Sequence, residues 1–126
     1  MRQWLWQSCT EFGWYPTTSD QIIMPFGLSL DVDFYISLCS LAFPELEFDK
    51  KSVEENIDTT NVEYGGINPD INNIVFVHGS DDPWHTLGVI EDLNESATAI
   101  FNPGFSHCSK YNGKQEISDL VARWLN

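Results

Sequence analysis

Positive charge is what this sequence has least of. Six Lys and Arg stand against nineteen Asp and Glu in 126 residues, a formal charge of −13, and the isoelectric point is about 4.2. A field of that sign repels phosphate backbones and anionic lipid headgroups, which argues against nucleic acid as a partner. The acidity itself fits either ordinary solubility or an acidic compartment. Long apolar runs are also missing. No stretch approaches the roughly 18 residues a bilayer-crossing helix needs, so no membrane partner is expected. The opening Met1-Arg2-Gln3-Trp4-Leu5-Trp6-Gln7 is interrupted by Gln7, Ser8 and Thr10 before it could form the apolar core of a signal peptide.

Cysteine is sparse and odd in number. Cys9, Cys39 and Cys108 would leave one thiol over if a bridge forms, or all three could be reduced and buried; the count alone does not choose. Histidine is no richer, and the spacings of His78, His85, His107 and Cys108 match no standard zinc-ligand pattern, so neither a metal nor another cofactor is expected. Asn94-Glu95-Ser96 forms a glycosylation sequon, a triplet common by chance, and makes Asn94 a candidate modification site.

What the chain does have is core material: 42% hydrophobic and 13% aromatic residues, a composition that folds rather than staying disordered. The alternation of Trp4, Trp6 and Ser8 with Leu5, Gln7 and Cys9 predicts a strand, ending in a loop near Gly13 and Pro16. Residues 17–30 predict a loop with an apolar patch at Ile22, Ile23 and Met24. Asp31 is placed to cap a helix carrying Val32, Tyr35, Ile36, Cys39 and Phe43, with Pro44 stopping it. A second, weaker helix is expected over 50–61, before the turn Tyr64-Gly65-Gly66. Ile74-Val75-Phe76-Val77 reads as a strand covered on both faces, and Ala97-Thr98-Ala99-Ile100-Phe101 as another, with a short helical connection over 87–93. Ile117, Leu120, Val121, Trp124 and Leu125 recur at helical spacing and predict a closing amphipathic helix. The order strand, helix, strand, helix is α/β.

In open α/β sheets the working groups sit on loops beyond the carboxyl ends of strands. Two loops qualify: His78-Gly79-Ser80-Asp81-Asp82-Pro83-Trp84-His85 and Asn102-Pro103-Gly104-Phe105-Ser106-His107-Cys108. A carboxylate after one strand and a histidine after the next is the order in which an α/β hydrolase carries its acid and base. There the carboxylate orients the imidazole and the imidazole takes the serine proton. Spacing alone leaves a plain alternative, because Asp-Pro also opens turns and nineteen carboxylates put one near any strand end. His78 reads as a satisfied structural histidine, and His85 as a residue that could line a pocket.

Four blocks taken together go further. Arg2-Gln3-Trp4-Leu5-Trp6-Gln7-Ser8-Cys9-Thr10-Glu11-Phe12-Gly13, Tyr64-Gly65-Gly66, Val75 to His85 with its Asp82-Pro83-Trp84, and Gly104-Phe105-Ser106-His107-Cys108 together resemble the prolyl carboxypeptidase family of serine exopeptidases. They come in the family's order and span nearly the whole chain. The resemblance implies the C-terminal part of one α/β-hydrolase peptidase domain over 1–126, with about 17–61 as a loop and helical insertion. It implies a peptide substrate cut by carboxypeptidase or dipeptidyl-peptidase action, often after proline, in lysosomes or outside the cell. It puts Asp82 and His107 on the triad acid and base. It pairs Cys9 with Cys39, closing a loop worth about 3–4 kcal/mol, and leaves Cys108 unpaired in this chain.

The sequence departs from the family in one respect: it contains no Gly-x-Ser-x-Gly elbow. Asp82 stands where Ser80 would need its second glycine, and Cys108 where Ser106 would need one. The expectation is that the nucleophile and a signal peptide lie upstream, in a missing N-terminal part of the same enzyme, with Met1 an internal position. This chain alone would then be inactive and poorly soluble because of an uncovered sheet edge. A homodimer of the full-length protein is a further expected partner. The alternative is a non-catalytic paralogue kept as a binding module, and a small acidic domain unrelated to peptidases would instead carry three free thiols.

Overall fold

The computed structural model describes residues 2–18, 29–109 and 113–125. The apolar patch Ile22-Ile23-Met24 lies outside them. The chain divides into two units, Met1–Gly66 and Ile67–Asn126.

The first unit is helical from Arg2, which corrects the strand expected from Trp4 onward. Helix α1 (Arg2–Gln7) continues into a π-helical turn, Ser8–Phe12. The alternation was a coincidence of aromatic spacing. Leu5, Ser8, Cys9 and Phe12 also fall at i, i+3, i+4 and i+7, and that period carries Cys9 into the core while Trp4 and Trp6 stay largely exposed. Ser8 and Thr10 donate from their hydroxyls to the carbonyls of Trp4 and Trp6, four residues back. Gly13 closes the wide turn by donating to the Ser8 carbonyl at 3.0 Å.

Helix α2 (Val32–Ala42) forms as expected. Asp31 is its cap, accepting from the Phe34 amide at 2.8 Å, and the chain leaves the helix just before Pro44. Helix α3 (Lys50–Tyr64) begins with a reciprocal capping box between Asp49 and Ser52 and ends at Gly65 in the left-handed conformation. It runs three residues past the expected end because Asn61 to Tyr64 contain no breaker. Cys9, Ile36, Cys39, Phe43, Phe48 and Val53 form the core these elements share, with Leu5, Tyr15 and Ile57 packed around it. Cys9 and Cys39 are disulfide-bonded, with Cα atoms 5.9 Å apart, in the pairing the family resemblance implies.

The second unit is a parallel α/β arrangement. Strands β1 (Ile74–Gly79) and β2 (Ala97–Asn102) pair in parallel from Ile74↔Ala97 to Gly79↔Asn102, and helix α4 (Lys114–Trp124) contacts β1. One face of the pair carries Phe76, His78 and Phe101, the other Val77, Ile100 and Asn102, as strand alternation requires. The expected cover on both faces is not found in this unit: Val77 is 41% and Phe101 42% exposed. A two-stranded sheet with one helix against it has too little chain to bury both sides.

The crossover is not the helix expected over 87–93. A 3₁₀ turn, Pro83–Leu87, comes earlier, and Gly88 ends it. The chain then runs along β2, where Asp92 accepts from the Ala99 amide at 2.7 Å and Leu93 donates to the Ala97 carbonyl at 2.9 Å. Those bonds occupy strand-edge groups that would otherwise be open.

Candidate active site

The two strands stop in register at Gly79 and Asn102, so both following loops leave the same end of the sheet. How closely they approach is decided at Gly79. A Cβ there would stand 2.1 Å from the carbonyl oxygen of Phe105, a clash with backbone that cannot be relieved by a rotamer. With no side chain at 79, the second loop folds onto the first, and Asp81 donates its amide to that same Phe105 oxygen at 2.9 Å.

Asp82 caps the 3₁₀ turn, with its carboxylate Oδ1 accepting from the Trp84 amide at 2.9 Å. The other oxygen, Oδ2, meets Nδ1 of His107 at 2.7 Å, across 25 residues of sequence. Both oxygens are therefore used, and Asp82 is buried, at 8% exposure. The bond from His107 holds the Asp82 carboxyl below its usual range; the Trp84 amide acts in the same direction, while burial opposes both. An ionised Asp82 only accepts, so the proton of the shared bond resides on Nδ1 of His107. In the neutral ring, Nε2 then carries the lone pair. The imidazole is 55% exposed, and the edge of the pair is completed by Trp84, whose ring meets it nearly perpendicularly with centroids 5.1 Å apart.

Asp82 and His107, the two residues singled out in the sequence, are thus brought together. The other histidines lie around this pair. His85 has its Nδ1 2.6 Å from the Asp82 carbonyl oxygen, and its ring meets the edge of Phe101, bracing the turn that carries Asp82. His78 is structural but not satisfied. Its ring lies so close to Gly88 that a Cβ there would be 2.2 Å from Cε1, and its Nε2 is buried with no partner among the described residues. The hydroxyls of Ser80 and Ser106 bond elsewhere than the His107 ring. The Ser80 hydroxyl bonds Asp81 and the Gly104 amide, and the Ser106 hydroxyl bonds Ser109. Cys108 is exposed and free. Among the described residues, no group of three or more His, Cys, Asp or Glu is arranged to hold a metal.

Sequence reasoning did not reach the bracing bonds of Ser80, His85 and Asn102. The only signals for them were the glycine at 79 and the Asn-Pro-Gly turn opposite it.

The profile of the family described as serine carboxypeptidase S28 matches residues 1–121. The chain is 37% identical to the thymus-specific serine protease of Mus musculus over 98% of its own length and 26% of that protein's. It is 34% identical to the Homo sapiens protein of the same name, over 98% of its own length and 26% of that one. A more distant relative, named "probable extracellular serine carboxypeptidase", from Arthroderma benhamiae, is 33% identical over 70% of this chain and 12% of its own. The chain spans about a quarter of the length of the first two relatives. No solved structure matches it significantly. With a family profile covering nearly every residue, including both loops that meet at the Asp82–His107 bond, the chain belongs to the serine carboxypeptidase S28 family.

Proposed function

We propose that this chain supplies the acid–base half of a serine exopeptidase active site, with Asp82 and His107 as catalytic residues. The observation that carries the reading is the 2.7 Å bond from Nδ1 of His107 to the buried Asp82 carboxylate. In the proposed mechanism Nε2 of His107 takes the proton of a serine hydroxyl supplied by a segment outside these 126 residues. The serine oxygen bonds to the scissile carbonyl carbon, the imidazolium returns that proton to the leaving amine as the C–N bond breaks, and water then hydrolyses the acyl-enzyme by the same route. Asp82 stays ionised throughout, which its depressed carboxyl favours.

The finer reading is a carboxypeptidase or dipeptidyl-peptidase that removes short pieces from peptide ends, often after proline, in a lysosomal or extracellular setting. The family description and the name of the fungal relative support the carboxypeptidase and extracellular parts of it. In the full-length protein this chain forms the end of an α/β-hydrolase sheet. The exposed Val77 and Phe101 on its strands fit a sheet whose faces are covered by further chain.

Fluorophosphonate labelling of this chain beside the upstream-extended protein tests the reading, since the probe marks only an activated serine. Label is expected on the extended protein alone and is lost with Asp82→Asn or His107→Ala. An extended protein that takes no label would favour a non-catalytic binding role instead.

A further inference from the structure

Strand pairing ends at Gly79↔Asn102, yet Asp82 and His107 lie beyond that point. Hydrogen bonds outside the ladder must therefore hold the two loops together. Besides the Asp82–His107 bond itself, four do among the described residues. The Ser80 amide donates to the Asn102 carbonyl at 3.0 Å and the Asp81 amide to the Phe105 carbonyl at 2.9 Å. The Asn102 side-chain amide donates to the His78 carbonyl at 3.2 Å. The shortest is made by a side chain: the Ser80 hydroxyl oxygen accepts from the Gly104 amide at 2.7 Å.

The same hydroxyl donates to Asp81 Oδ1 at 2.9 Å. Its proton is thereby committed to the first loop, and its lone pair faces the second. Gly104, at φ +78 with open space where a Cβ would be, turns its amide toward that lone pair. A small hydroxyl side chain can donate to its sequence neighbour and accept from the opposite loop within this reach.

We infer that Ser80 is a positioning residue: its hydroxyl clamps the loop carrying His107 to the loop carrying Asp82 and so sets the length of the bond between them. The inference rests on the Asp82–His107 reading above, through which Ser80 acts; Ser80 itself touches neither side chain's reacting atoms. A serine following the strand-end glycine is therefore part of the site's construction and not a displaced nucleophile.

The test reads the Nδ1 proton of His107 by NMR at neutral pH in the full 126-residue chain. A proton shared with a carboxylate gives a low-field resonance, and Asp82→Asn and His107→Ala, which each remove it, assign it. In Ser80→Ala the proton is expected to exchange with water roughly fivefold faster, the effect of losing one hydrogen bond that resists loop opening. Ser80→Cys, with a weakly accepting sulfur, behaves the same way, while Ser80→Thr restores the original rate. The backbone amide spectrum away from the two loops stays unchanged, which separates positioning from unfolding. An unchanged exchange rate in both Ser80→Ala and Ser80→Cys would overturn the clamp and leave the dyad standing. Absence of the resonance from the unaltered chain would remove the dyad itself and the clamp with it.

Discussion

Gly79 and Phe105 are in backbone contact that leaves no room for a methyl group: the Cβ of an alanine at 79 would lie 2.1 Å from the Phe105 carbonyl oxygen. Gly79→Ala must push the second loop away from the strand end. We expect a destabilisation of about 1–3 kcal/mol for the overpacking, together with loss of the His107 low-field proton. A urea titration followed by NMR checks both, and a fully native spectrum would show that the loop can move aside.

Asp82 has a folded-state carboxyl held below its ordinary value, chiefly by the bond from His107. Its contribution to stability is therefore present above the unfolded-state value of about 3.9 and is lost as pH falls through the depressed folded-state value. Asp82→Asn is expected to be less stable than the native chain at neutral pH, and the gap should close in the acid range below about pH 4. Denaturation midpoints measured from pH 7 downward decide it. A gap that persists unchanged into strong acid would mean that the carboxylate's charge is not what stabilises the turn.

The Cys9–Cys39 bridge spans a sequence separation of 30 and sits in the centre of the first unit's core. Cys39→Ser should lower the stability of that unit by about 3 kcal/mol through the freed loop entropy. The Asp82–His107 resonance belongs to the other unit and is expected to be retained. Chemical denaturation with tryptophan fluorescence, to which Trp4, Trp6 and Trp14 of this unit contribute beside Trp84 and Trp124 of the other, would show the loss as an earlier transition.

Asn94 is exposed and sits in a tight turn, with its Oδ1 accepting from both the amide and the hydroxyl of Ser96 at 2.9 and 3.2 Å. Its Nδ2 donates to the Ile71 carbonyl at 3.0 Å, which needs one of its two protons and leaves the other to be replaced by a sugar. We propose that Asn94 is glycosylated when the protein enters the secretory pathway. Secreted from a eukaryotic cell, the chain should carry a mass removable by peptide N-glycosidase and absent from Asn94→Gln. Because Asn94 precedes the first residue of β2 and the Asp82–His107 pair follows the strand ends, the glycan is expected to leave that pair intact. A secreted chain of unmodified mass would sink the proposal.

Local signals carried well where one residue type has one physical solution. Asp31 could be read as a cap because its carboxylate has a free amide to accept from three residues on, and Pro44 as a stop because it cannot continue the helix. The strands were legible at 74–77 and 97–101 as apolar runs bounded by turn residues, and the structure extends them to Gly79 and Asn102. The segment Trp4–Phe12 was not. Its aromatic alternation and its helical spacing coexist, and only the presence of α2 and α3, with Cys39 and Val53 waiting for a helical face, selects the second. The crossover after Leu87 was misread for a similar reason: a few apolar residues look helical until Asp92 and Leu93 find partners on the edge of β2.

What the amino-acid order determined by itself was composition, the Asp31 cap, the two paired strands and the family blocks that mark Asp82 and His107. These depend on neighbours a few residues away or on matching whole motifs. Tertiary structure alone decided that the two side chains meet at 2.7 Å, that His85 braces a turn, and that Ser80 bonds Gly104. The first and last of these join residues 25 and 24 apart through the parallel register of β1 and β2 and the missing side chain at Gly79. Distance between loops is a property of packing, and no local pattern encodes it.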